Sequence, residues 1–166
     1  GSINFFLEDK KIKDCPFNTH WMVKTYGHST FLNLSEKTIS CGGTILANHE
    51  SMKKFLALMI SELSKHKYKK NLKYLLTFRR DKGARGSDQS HGNFIAHNNL
   101  ISDTFFYSNE SGPIATVFHL KKIIFNEKNE LVNVNSEPYS VVHQYDKRWD
   151  KFQDNVLAIK KKFEVE

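Results

Sequence analysis

The apolar positions of this chain change their spacing several times, and each change predicts an element. Ile3–Leu7 is a short apolar run that stops at Glu8-Asp9-Lys10-Lys11, the pattern of a strand leaving a core for a charged turn. From Pro16 to Tyr26, residues Phe17, Trp21 and Val23 offer an apolar stripe; proline suits a first helical turn and Gly27 supplies the stop. Thr38–Leu46 reads as a strand interrupted by Gly42-Gly43, a pair that marks a bulge or a close approach of the backbone to something else. The clearest helix follows Asn48, a good N-cap, and runs to about Ser64. Met52, Phe55, Leu56, Met59, Ile60 and Leu63 recur there at helical spacing and predict one packing face.

Beyond that helix the pattern becomes basic. Lys65–Arg85 holds nine lysines and arginines against the single acid Asp81, around Leu72, Leu75, Leu76 and Phe78. Gly83 and Gly86 mark a loop, and Asp88 is placed to cap a helix ending near His97. After Asn99 strands take over: Thr104–Tyr107, Ala115–Leu120, a hairpin of Ile123–Phe125 and Leu131–Val134 about the polar turn Asn126–Glu130, and Tyr139–Tyr145. A last helix from about Arg148 to Phe163 carries Trp149, Phe152, Val156, Ile159 and Phe163 on one face. Early helices, interleaved strands and a closing helix predict an α/β fold, a mixed sheet flanked by helices.

A chain of 166 residues is long enough for one hydrophobic core and short for two. Gly1 and Ser2 read as a cloning remnant, which leaves 3–166 as a single domain, whole or cut from a larger protein. No stretch approaches the roughly 20 apolar residues of a bilayer span, so no membrane insertion is expected of this sequence, and its compartment is left open. The net charge of +7 predicts attraction to anions: nucleic acid, a membrane surface or the diphosphate of a small ligand. Cys15 and Cys41 form no CxxC pair, which argues for reduced thiols over a zinc site or a disulfide framework.

Three clusters could carry chemistry. Gly86–Asn93 packs Asp88, Gln89 and His91 into the first turns of a helix, where a carboxylate and an imidazole three apart share a face and can orient hydroxyls. The plainer reading makes Asp88 an N-cap and His91 a structural imidazole. Val141–Asp146 ends an apolar strand in the polar run His143-Gln144-Tyr145-Asp146, and strand ends in α/β sheets are where ligands sit. Neutral imidazole at His143 suits a divalent metal, though a strand-terminal histidine also serves structure. Ser40-Cys41-Gly42-Gly43 would let a planar base or a sugar lie against the backbone, or is simply a bulge. There is no P-loop, GxGxxG, GxSxG or paired Cys/His site.

Taken in order, Cys15…Asn18…Trp21…Tyr26-Gly27, Ile39-Ser40-Cys41-Gly42-Gly43-Thr44, Ser87-Asp88-Gln89-Ser90-His91-Gly92-Asn93, Ser111-Gly112-Pro113-Ile114 and Val141-Val142-His143-Gln144-Tyr145-Asp146 resemble the acceptor-side, C-terminal half of GT-A-type glycosyltransferases. The resemblance covers most of the chain. It implies transfer of a sugar from a nucleotide-sugar donor to a hydroxyl of a glycan or protein acceptor. Asp88 and Gln89, with His91 in the same motif, match the sugar and acceptor positions, and His143 matches the position that holds a divalent cation (manganese or magnesium) and the diphosphate. Cys41, Gly42, Gly43, Arg85, Gly112, Pro113, Gln144, Tyr145 and Asp146 would line the substrate. A carboxylate can take the acceptor proton while a metal stabilises the leaving diphosphate. This reading requires Asp88 and His143 to meet at one open cavity.

Two other classes compete. The basic run, interleaved with Tyr68, Tyr74 and Phe78, has the composition of a nucleic-acid surface but fits no RRM, KH, zinc-finger or helix-turn-helix signature. A non-catalytic carbohydrate-binding domain would use Trp21, Trp149 or Tyr145 to stack on sugar faces.

Overall fold

The computed structural model describes residues 1–66, 87–148, 150, 152–154 and 157. Most of the basic run, Arg85 included, and most of the predicted last helix lie outside the described residues. Internal contacts divide the chain into two compact units, Gly1–Phe5 with Lys10–Phe105 and Phe6–Asp9 with Phe106–Glu166. Where length alone suggests one core, the described residues form three buried clusters, two in the first unit and one in the second.

The first unit contains α1 (Pro16–Leu34), β2 (Thr38–Ala47), α2 (His49–Lys65) and α3 (Ser87–His97), with its sheet completed by β1 (Ile3–Lys11) and β3 (Thr104–Tyr107), of which residues 6–9 and 106–107 belong to the second unit. Strand order is β2-β1-β3. Asn48 N donates to Ser2 O and Ile12 N to Lys37 O, so β2 runs antiparallel to β1. Ile3 N donates to Asp103 O, which starts β3 beside the start of β1 and in the same direction. The fold is therefore α/β, a mixed three-stranded sheet flanked by helices.

Gly27 does end the first helical segment: its φ of 85° and ψ of 169° break α1, and a side chain there would be strained. A second segment, unpredicted, continues to Leu34. Asn48 caps α2 by accepting from Ser51 N at 2.9 Å. Phe55 packs edge-on to Phe5 at 5.7 Å, over Ile95 and Ile101. The predicted packing face of α2 is only half right. Met52, Phe55 and Met59 face the core, whereas Leu56, Ile60 and Leu63 are exposed. The buried arc is turned instead toward Glu62, which is 6 % exposed because it has partners inside.

The second unit contains β4 (Ile114–Thr116), β5 (Ile124–Phe125), β6 (Leu131–Val132) and β7 (Val141–His143). β4 and β7 are parallel, pairing Ile114 with Val141, Ala115 with Val142 and Thr116 with His143. The predicted hairpin is present and shorter, β5 against β6, its turn held by Asn126 Oδ1, which accepts from Lys128 N and Glu130 N. β6 ends at Val132 because Asn133 Oδ1 takes the N–H groups of Asn135 and Glu137 and turns the chain. The predicted strand Ala115–Leu120 gives way after Thr116 to a 3-10 turn at Val117–His119. The charged stretch after Leu7 stays in β1 rather than turning out of it: Glu8 is buried and pairs with His119 at 3.2 Å. Phe152, in a helical stretch as predicted, packs on Ala115, Val117, Leu120 and Leu131. Among the described residues no helix is long and apolar enough to cross a membrane.

Candidate functional site

β2 is an edge strand, so the outward backbone groups of Ser40 need partners from outside the sheet. Helix α3 supplies them. Asn93, wholly buried, accepts from Ser40 N through Oδ1 at 2.8 Å, and Gln89 donates through Nε2 to Ser40 O at 3.2 Å. Asn93 Nδ2 also donates to Gln89 O at 2.8 Å, and Gln89 Oε1 accepts from Asn18 Nδ2 of α1 at 3.4 Å. Positions 89 and 93 are one helical turn apart, which is why both amides reach the same strand residue.

This docking closes a pocket of about 70 Å³. Ser40, Cys41 and Gly42 of β2 form one wall, Asp88, Gln89 and Gly92 of α3 a second, and Ile45, Phe55 and Met59 an apolar third. Two motifs far apart in sequence thus share one cavity. Gly42 is not demanded by crowding, since a Cβ there would meet nothing closer than Gln89 at 3.9 Å. Its bare backbone keeps that wall flat. Asp88 is exposed and lies inside the first turn of α3 rather than at the predicted N-cap, because the helix already begins at Ser87; the positive end of the helix dipole favours a carboxylate there. The Cys41 side chain is buried, and Gly43 is exposed and not part of the lining.

His91 belongs to the interior instead. It is 3 % exposed, does not line the pocket, and sits 2.5 Å through Nδ1 from Tyr26 OH. Tyr26 is also 3.1 Å from Glu62 Oε2 and has one proton to give; an ionised carboxylate only accepts, so Tyr26 donates to Glu62 and His91 Nδ1–H donates to Tyr26. Lys65 Nζ closes the chain on Glu62 Oε1 at 2.7 Å. Burial, and then the neighbouring His66, hold His91 below its ordinary pKa, with Glu62 and Asp88 opposing. Burial alone would raise Glu62, but hydrogen bonds from Lys65 and Tyr26 outweigh it and carry the carboxyl down. Burial, then the negative charge of Glu62, pushes the Tyr26 phenol far up. With Tyr26 stacked on Phe94 at 4.0 Å, the network ties α1, α2 and α3 together and so fixes the helix that carries Asp88.

The remaining predicted residues lie in the second unit. Gly112 N donates to Ser108 O at 2.7 Å, and a Cβ on Gly112 would fall 2.6 Å from that oxygen, so only glycine fits this turn. Pro113 O accepts from Ser140 N, which joins the starts of β4 and β7. His143 ends β7 half-buried, beside Thr116. Gln144 has φ of 60°, and the chain passes into a 3-10 turn at Tyr145–Arg148, where exposed Asp146 pairs with Lys147 at 3.3 Å. The structure thus joins Gly112–Thr116 to Val141–His143, and Ser40–Gly42 to Asp88–Gly92. Asp88 lines the cavity described here, whose lining is drawn from the first unit alone, and His143, in the second unit, is not among its lining residues. Among the described residues no group of three or more His, Cys, Asp or Glu could hold a metal ion.

Sequence reasoning passed over Asn93 as a site residue although its helical spacing from Gln89 was readable. Asn18 and Tyr26 carried no such signal, since their partners lie 71 and 65 residues away. Comparisons with protein-family models, curated proteins and solved structures give no match.

Proposed function

We propose that this chain is the acceptor-side part of a glycosyltransferase that moves a sugar from a nucleotide-sugar donor to a hydroxyl. The observation that supports the reading is the meeting of Ser40–Gly42 with Asp88, Gln89 and Gly92 around one small cavity. A carboxylate at the rim suits a hydroxyl, and the apolar wall of Ile45, Phe55 and Met59 suits the C–H face of a sugar ring. Asp88 is the group that would accept the hydroxyl proton. Gln89 has both ends of its amide engaged, by Ser40 and Asn18, and so fixes the first turns of α3 against β2. A volume near 70 Å³ takes the edge of a sugar, not a nucleotide diphosphate, so the donor would be held elsewhere. The implied divalent cation finds no ligand set among the described residues, and no step is assigned to it.

Thermal-shift measurements with nucleotide sugars and oligosaccharides, each with and without manganese, test the reading together with donor-hydrolysis and transfer assays. The expected result is stabilisation by glycan acceptors that is lost in Gly42→Val, and transfer that is lost in Asp88→Asn while the melting temperature is unchanged. Glycan binding without turnover of any nucleotide sugar would leave a carbohydrate-binding domain, and no response to either class would overturn both.

A further inference from the structure

A second cavity, of about 220 Å³, lies wholly in the second unit. Its walls are aliphatic: Leu120, Ile124, Val132 and Val134. Ile124 and Val134 are 42 % and 59 % exposed, and they leave apolar surface open around a concave site, where folding alone would tend to cover it. Tyr139 adds its ring, because its hydroxyl is already donated to Asn109 O at 2.9 Å. Burial first, and then the negative charges of Asp9 and Glu110, push that phenol up to about 12, so no phenolate faces the cavity at neutral pH.

The rim is charged and unbalanced. Glu110 and Lys121 pair at 3.4 Å and largely cancel. Lys122 lines the same cavity and has no carboxylate partner among the described residues, which leaves one uncompensated cation beside the aliphatic walls. An apolar cavity of roughly 150 Å³ admits benzene, so this one has room for a six-membered ring and a substituent. We infer that the cavity binds a small ring-bearing anion, with its ring against Leu120, Ile124, Val132 and Val134 and its charge on the Lys122 ammonium. The site is independent of the pocket at Asp88 and of the activity proposed for it.

Amide-resolved NMR titration of the whole chain with phenyl phosphate, benzyl alcohol and inorganic phosphate tests the inference. Phenyl phosphate is expected to give saturable shifts at residues 120–124 and 131–134, and to bind more tightly than either comparator. Lys122→Met should weaken phenyl phosphate about three- to five-fold and leave benzyl alcohol unchanged, the size expected of one solvent-exposed charge. Val134→Asp, at an exposed position that the fold tolerates, should abolish binding of phenyl phosphate. Absence of saturation up to about 10 mM, binding no tighter than that of inorganic phosphate, or an unaltered affinity in Lys122→Met would each overturn it.

Discussion

Replacing Asn93 by alanine removes the side chain that joins β2 to α3. Two hydrogen bonds of 2.8 Å disappear, one from Ser40 N and one to Gln89 O. The bond to Gln89 O contributes about 1 kcal/mol, and leaving the buried Ser40 amide without its acceptor costs about 1–3 kcal/mol. The expected loss is about 2–4 kcal/mol, a large share of the 5–15 kcal/mol typical of a domain. Asn98→Ala is the matched control, since Asn98 Nδ2 donates to Phe94 O at the same distance but in solvent, and it should fall within about 0.5 kcal/mol of the parent. Urea denaturation followed by circular dichroism measures both, and hydrogen exchange reads the Ser40 amide directly. The reasoning is refuted if Asn93→Ala unfolds at the same urea concentration as Asn98→Ala, or if the Ser40 amide remains as protected as in the parent.

Two further outcomes follow from single contacts. His91 is held below its ordinary pKa of 6.5, so the unfolded chain takes its proton more readily; the stability this gives is complete above pH 6.5 and is lost as pH falls through the folded value. Stability should therefore drop as the pH falls below about 6.5, and drop less steeply in His91→Gln; equal slopes in urea melts would contradict the assignment. Gly112→Ala would place its Cβ 2.6 Å from Ser108 O, an oxygen held by the Gly112 amide, and should lower the melting temperature by several degrees, about 1–3 kcal/mol. An unchanged melting temperature would mean that the turn relaxes freely.

What the amino-acid order determined by itself is what depends on near neighbours. The Asn48 cap, the break at Gly27, the hairpin about Asn126 and the strand at Thr104–Tyr107 were all legible, because a cap, a left-handed glycine or a side-chain-held turn is decided within a few residues. The α/β class followed from the order of such elements. Burial was read less well. Six apolar residues on α2 predicted one face, yet the tertiary structure turned the helix so that Glu62 went in and Leu56, Ile60 and Leu63 stayed out, because Tyr26 and Lys65 were there to satisfy the carboxylate. Glu8 stayed in β1 for a like reason, its partner His119 being supplied from far along the chain. Tertiary structure alone also separated the members of one motif. Asp88 and His91, three apart on α3, went to a pocket rim and to a buried network, and Gly42 and Asp88 came to line one cavity. A helix presents its neighbours to different surroundings, and which surroundings those are depends on contacts many residues apart, which local spacing does not encode.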